Sequence, residues 1–209
     1  MTKQQLITWL NEAARLLEQN KAYLTELDSA VGDADHGTNL ARGFQVVVQN
    51  LPTVADQDLG AICKFVAMTL ISKVGGASGL LYGNFFMKVA TFCAGKKQVT
   101  ASELVTLLEK GVNGIIERGR AGLGDKTMLD AWLPAIAALK NAVISNHDLP
   151  TAIQAGVTAA QQGRDSTIPL RAKKGRASYL GERSIGHLDP GAASTALLWQ
   201  ALHRAVQSL

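Results

Sequence analysis

Apolar residues recur at helical spacing along almost the whole chain, and nowhere do they alternate as a half-buried strand requires. Leu6, Trp9, Leu10, Ala13, Leu16 and Leu17 make one stripe; Leu40, Phe44, Val47 and Leu51 make a second; Leu104, Leu107, Leu108, Val112 and Ile115 make a third. Such stripes each occupy one helix face, so they can be buried only by packing helix on helix. The pattern predicts an all-α fold with helices near 3–19, 21–30, 37–50, 57–72, 79–95, 101–117, 127–143, 150–163 and 190–207, about eight if the short second one is not counted separately. Thr100 and Glu103 form a capping box, Pro150 and Pro190 sit where a first turn tolerates proline, and Asp189 is placed to cap the last helix. Pro134 predicts a kink, or a helix start displaced toward it. Most connections are short, which favours antiparallel neighbours in an up-and-down order. No linker or internal repeat divides residues 1–209, so a single domain is expected.

Composition narrows the classes. With 47% of residues hydrophobic, the chain can bury a core without disulfides or a structural metal. Cys63 and Cys93 lie among apolar residues without any metal-ligand spacing, and the charged, amphipathic N-terminus is unlike a signal peptide. The longest stretch free of Asp, Glu, Lys and Arg, Leu149 to Gly163, is too polar for a membrane span. These features predict a cytoplasmic protein with no membrane partner. The net charge is +4, and its excess is confined to residues 164–187, where Arg164, Arg171, Lys173, Lys174, Arg176 and Arg183 face only two acids. A basic segment of that kind suits a compact anion or an acidic partner rather than a face laid along DNA, so no direct nucleic-acid partner is expected. The same segment, 164–188, has no clear periodicity and is expected to form an ordered flap anchored by Tyr179, Leu180 and Ile185.

Four motifs carry chemistry. In Asp28-Ser-Ala-Val-Gly-Asp33-Ala-Asp35-His36-Gly37-Thr38-Asn39, three carboxylates fall within eight residues just before an amphipathic helix. Their mutual repulsion favours a hard divalent cation such as Mg²⁺ between them; capping acids at a helix N-terminus are the alternative. An EF-hand is excluded, because counting from Asp33 the fifth position is Gly37 and the twelfth is Phe44. A P-loop is excluded because Thr38 and Asn39 follow Gly37 where Lys and Ser/Thr are needed. Val74-Gly75-Gly76-Ala77-Ser78-Gly79, between two apolar helices, reads as a phosphate cradle or as a plain Gly-rich turn. Gly124-Asp125-Lys126-Thr127-Met128-Leu129-Asp130 and the pair GRASYLG and GHLDPGA complete the set; each joins glycines to charge, though a capped turn and a Pro-initiated helix would also account for the first and last. Metal-binding acids and a phosphate cradle are complementary halves of a nucleotide site.

In this order and over nearly the whole chain, GDADHGTN, VGGASG, GDKTMLDAW and GRASYLGERSIGHLDPGA resemble the nucleotide-binding L subunits of bacterial dihydroxyacetone kinases. Leu80 stands where some of those proteins have proline. The resemblance implies a closed barrel of eight antiparallel helices with ADP or ATP and two Mg²⁺ ions at one rim. It implies Asp28, Asp33 and Asp35 as metal ligands, and His36, Gly37, Thr38, Asn39, Ala77, Ser78, Gly119, Met128, Arg176, Asp189, Pro190 and Gly191 as nucleotide contacts. Met128 would lie near the base, and Ala77, Ser78 and Arg176 near phosphate; Arg176 and His36 are the candidates for charge stabilisation. The implied activity is that of a phosphotransferase. A separate K subunit would hold dihydroxyacetone, and a multiphosphoryl protein of the phosphoenolpyruvate phosphotransferase system would rephosphorylate the retained ADP. Two other readings stay open: a nucleotide-dependent partner of a transcription regulator, and a helical carrier of an apolar ligand. A homodimer is likewise left open.

Overall fold

The computed structural model describes residues 1–207. Nine α-helices form among them: α1 (Lys3–Gln19), α2 (Lys21–Val31), α3 (His36–Asn50), α4 (Leu59–Lys73), α5 (Gly76–Cys93), α6 (Ala101–Gly119), α7 (Leu129–Ile144), α8 (Leu149–Ser166) and α9 (Pro190–Gln207), with short 3-10 segments at Leu51–Thr53 and Arg176–Ser184. No strand forms among the described residues, and the one β-type pairing is an isolated bridge between Thr2 and Gln98. No described helix is long and apolar enough to cross a membrane.

The helices begin where side chains can satisfy their open amides. Thr2 with Gln5 and Thr100 with Glu103 form capping boxes; Asp58 accepts the amide of Ala61, and Asp148 that of Thr151. Asp189 accepts the amide of Ala192 at 2.7 Å, as its position before Pro190 led one to expect. A cap of this kind contributes about 1 kcal/mol. Helix α7 runs on through Pro134 and starts at Leu129, nearer the proline than the expected 127. Proline has no amide to offer the carbonyl of Asp130 one turn back. That carbonyl instead faces Gly163 on α8, where any side chain would stand 2.1 Å from it, so the two helices meet there with backbone against backbone.

Packing follows a simple order. Helix α1 packs on α3 and on α9, and from α3 to α9 each helix packs on the next; the short α2 lies against α3 and α9. One continuous apolar core joins them, from Leu6 and Trp9 on α1 to Trp199 and Leu202 on α9. A line of rings crosses its middle: Trp9 to Phe86 at 6.0 Å, Phe86 to Phe85 at 5.2 Å, Phe85 to Trp132 at 4.9 Å and Trp132 to Trp199 at 5.7 Å. Edge-on and tilted rings at such spacings pack favourably.

The connections divide between two ends. Those after α3 and α5 meet each other and the N-terminus: the ammonium of Lys3 donates to the Asp56 carbonyl, the amide of Leu59 to Lys96, and the amide of Val99 to Met1. The connections after α2, α4, α6 and α8 meet instead around a single cleft. Residues far apart in the chain are thereby gathered at one place.

Glycine lets the rings sit close to their neighbours. A methyl group on Gly156 would stand 2.3 Å from the ring of Trp199, and one on Gly111 would stand 2.5 Å from Phe85. In an exposed helix, Gly→Ala would stabilise by about 1 kcal/mol. At Gly156 the overlap with a fully buried indole should reverse the sign, since overpacking costs about 1–3 kcal/mol. Gly156→Ala is therefore expected to lose about 1–2 kcal/mol in urea unfolding; an equal or higher midpoint would show that α8 moves away from Trp199 at no cost.

Candidate functional site

Asp28 is the buried member of the acidic cluster and lies in the last turn of α2. Its Oδ2 accepts the amides of Asp35 at 2.9 Å and His36 at 3.2 Å, so the α2–α3 turn wraps around its carboxylate. Gly32 makes the wrap feasible, because a Cβ there would stand 2.1 Å from Asp28 Oδ1. Ala34 takes a left-handed conformation (φ 60°) that L side chains avoid, and it separates Asp33 from Asp35. Oxygen atoms of Asp28, Asp33 and Asp35 all come within 4.8 Å of one another. Burial, and then the neighbouring charge of Asp33, push the Asp35 carboxyl up from its ordinary value. Asp35 begins α3 without capping it through its side chain. This is a set of hard oxygen donors with unbalanced negative charge, which suits Mg²⁺. Arg176 already answers part of that charge from the flap, with Nη2 2.9 Å from Asp33 Oδ2.

His36 links this cluster to the glycine-rich turn. Its Nδ1 lies 3.1 Å from Ser78 Oγ and its Nε2 3.0 Å from Ser194 Oγ. Burial lowers its pKa to about 4, against the opposing pull of Asp28, so the ring is neutral at pH 7. With hydroxyls on both nitrogens, His36 orients Ser78 better than it could serve as a base. The turn itself opens α5 at Gly76, with Gly75 as an N-cap that offers no side-chain acceptor. The amides of Gly76 to Ser78 thus begin a helix beside a cleft, an arrangement that favours an anion. Gly75 also rests against Asn39, whose Nδ2 would be 2.9 Å from a Cβ there.

The cleft brings together Asp28, Asp33, Asp35, His36, Ala77, Ser78, Met128, Arg176, Asp189, Pro190 and Gly191 from five separate parts of the chain. Gly119 lines an adjoining apolar cavity with Met128, Leu81 and Ile115. Three further expected contacts, at the start of α3, are not among the residues that line the cleft. Gly37 packs under the carbonyl of Lys21 on α2, Thr38 is exposed with its hydroxyl on the Asp35 carbonyl, and Asn39 accepts from Arg42 behind the glycine-rich turn.

The flap is ordered, but not by all the expected anchors. Leu180 packs on a small cluster of Val31, Ala172 and Ala177. Tyr179, at 89% exposure, and Ile185, at 45%, anchor nothing. Polar contacts hold the segment instead: Ser184 accepts the amide of Ala172 at 2.9 Å and donates to Gly181, and Gly186 donates to Ile168 at 2.8 Å. Lys173 reaches across to the α6–α7 connection, with its amide 3.1 Å from the Asp125 carbonyl and its ammonium 3.7 Å from the Asp125 carboxylate. Lys174 lines the cleft.

Two residues that support the site escaped the sequence reading. Ser194 and Tyr82 sit inside apolar helical runs, and nothing in the pattern marks their hydroxyl contact at 3.3 Å behind His36. Asp130 is buried and shapes the α6–α7 connection by accepting the amides of Gly124 at 2.5 Å and Thr127 at 2.7 Å. It closes the Gly124–Asp130 motif that the sequence marks. Burial raises the Asp189 carboxyl to about 7, although its bond from the Ala192 amide opposes the shift.

Comparison with known proteins places the chain among nucleotide-binding kinase subunits by similarity. The chain is 44% identical over 99% of its length, and 99% of the relative's, to the ADP-binding subunit DhaL of the PEP-dependent dihydroxyacetone kinase of Escherichia coli. It is 40% identical, over 96% of both chains, to the ADP-binding subunit DhaL of the PTS-dependent dihydroxyacetone kinase of Lactococcus lactis. The crystal structure of the dihydroxyacetone kinase from C. freundii in complex with AMP-PNP and Mg²⁺ superposes with a TM-score of 0.70 at 25% identity; it matches 96% of this chain, which spans about a third (33%) of that kinase. The sequence model described as the DAK2 domain matches residues 30–204, and the chain belongs to that family.

Proposed function

We propose that this chain is the ADP-binding subunit of a dihydroxyacetone kinase driven by the phosphoenolpyruvate phosphotransferase system. It keeps ADP and Mg²⁺ in place while a phosphoprotein supplies a phosphoryl group and a separate substrate-binding subunit presents dihydroxyacetone to receive it. One observation carries the reading: the three-carboxylate cluster, the open N-terminus of α5 and Arg176 share one cleft, as a metal–phosphate complex requires. Names of relatives that match this chain end to end point the same way.

Within this reading Asp28, Asp33 and Asp35 hold the metal. Three carboxylates together with a diphosphate supply oxygen donors and charge for two Mg²⁺ ions. Bound there, Mg²⁺ supplies charge cancellation on the phosphate oxygens. The amides of Gly76 to Ser78 bind the phosphates from the start of α5, and His36 holds the Ser78 hydroxyl toward them. Arg176, now paired with Asp33, has a planar fork of donors suited to phosphate and stabilises charge as it develops during transfer. Met128, Gly119 and their apolar neighbours take the base. No nucleophile from this chain is needed, so its share of catalysis is positioning and electrostatics.

The architecture suited to this task is a single-domain closed barrel of eight antiparallel helices, α1 and α3 to α9, with the nucleotide at one rim. The circuit of neighbours that returns from α9 to α1 supports it, as does the gathering of alternate connections at one end.

Two measurements test the reading. Asp33→Ala and Asp35→Ala should each weaken Mg²⁺-dependent ADP binding by at least about tenfold, the loss of one metal-bridging interaction of about 1.4 kcal/mol, while the far-UV CD spectrum is kept. Unchanged affinity in both variants, measured calorimetrically, would overturn the metal assignment. Acid extraction of desalted protein should release about one ADP per chain. Readily exchanging ATP would instead indicate direct use of ATP, and a protein that binds neither nucleotide with Mg²⁺ would refute the proposal.

A further inference from the structure

Lys126 is a charged residue with 1% exposure, and nothing in the proposed chemistry uses it. It stands in the α6–α7 connection with φ 62°, a left-handed conformation that a lysine has no local reason to adopt. Its side chain runs inward, and its ammonium donates to the carbonyls of Thr167 at 2.5 Å, of Ile168 at 3.4 Å and, by a short bond, of His187. Thr167 and Ile168 follow α8 and His187 precedes α9, so this one ammonium holds both ends of the flap. The flap that it pinches carries Arg176 to Asp33 and Lys174 to the cleft.

The surroundings are built for the charge. Burial lowers the Lys126 pKa, and the nearby carboxylates of Asp189 and Asp130 oppose that shift. The three carbonyls accept all that the ammonium can donate; Thr167 and Ile168 also accept the amides of Leu170 and Gly186, so among these bonds only that to His187 has no second donor beside Lys126. Thr167 reinforces the pinch, since its hydroxyl accepts the amide of Asp189 at 3.0 Å and donates to Arg164 at 2.6 Å. Asp130 orders the loop that presents Lys126, through the amides on either side of it. Lys126 thus joins the base-side loop to both ends of the phosphate-side flap, beside the contact that Lys173 makes with Asp125.

We propose that Lys126 is a positioning residue whose ammonium clamps the two ends of the flap and so sets how long nucleotide stays in the site. The proposal rests on the nucleotide-binding reading above. A retained cofactor needs a slow exit, and a flap closed at its base by a residue that also lines the cleft provides one.

The test compares the full-length protein with Lys126→Met, which keeps the stem and removes the donors, and with Lys126→Arg, which keeps charge and donors. With far-UV CD retained, Lys126→Met should be cut by trypsin after Lys173, Lys174, Arg176 or Arg183 at least about tenfold faster, because cleavage tracks the open population. A fluorescent ADP analogue with Mg²⁺ should leave it about tenfold faster, and Lys126→Arg should fall between it and the wild type in both readouts. Should Lys126→Met fail to fold, hydrogen exchange in nucleotide-stripped wild type decides: the amides of Ala172 and Gly186 should be slowed by about a hundredfold or more against free-peptide rates. A folded Lys126→Met with unchanged cleavage and ADP release, or flap amides that exchange at peptide rates in the stripped wild type, would overturn the clamp. A wild type that binds no ADP would refute the nucleotide reading and with it the residence role, while the trypsin ratio would still report on the clamp itself.

Discussion

Three carboxylates packed to within 4.8 Å are a standing source of repulsion, and much of the cleft is arranged around them. Asp28 is relieved by two backbone amides, Asp33 by the guanidinium of Arg176, and Asp35 is left with a raised proton affinity. The amides that serve Asp28 belong to Asp35 and His36, so the same bonds that stabilise its charge set the direction of α3 and the place of the imidazole. A divalent cation is the natural complement of such a cluster, since it replaces repulsion among the acids by attraction to a shared centre.

The body of the molecule is a rigid support for that arrangement. Its core is filled by a line of aromatic rings from α1 to α9, seated on glycines too close to admit a side chain. Its helices are capped at their starts by Thr2, Asp58, Thr100, Asp148 and Asp189. Strain is concentrated elsewhere. Of the four described non-glycine residues in left-handed conformations, Ala34, Arg120 and Lys126 lie in the connections that converge at the cleft or lead into it, and Asn146 lies between α7 and α8. Such conformations persist only where the surroundings over-determine them, and Asp28 does so around Ala34, as Asp130 and the accepting carbonyls do around Lys126.

Much of the fold was legible in the chain itself. Apolar spacing located every helix to within a few residues, and the Thr100–Glu103 box and Asp189 before Pro190 marked their ends. The Leu59 start of α4, against an expected 57, and the Gly76 start of α5, against 79, differ because caps decide where a helix begins, and Asp58 and Gly75 are single residues without periodicity. The acidic cluster was legible because like charges so close in sequence demand an explanation. Tyr179 and Ile185 misled because an apolar side chain in a long loop suggests burial, whereas this loop is held by Ser184, Gly186 and Lys126 through backbone groups that no side-chain pattern reveals.

The sequence by itself determined an all-helical chain, the ends of most helices, the clustering of Asp28, Asp33 and Asp35, and the glycine-rich turn, because each depends on residues within one or two turns of each other. Only the tertiary structure decided that Ser78 meets His36, that Arg176 meets Asp33 and that Lys126 clamps Thr167 to His187. Those pairs are separated by dozens of residues, and local periodicity holds no record of which connections meet at the same end of a helical bundle. That choice is made by the order in which the helices pack.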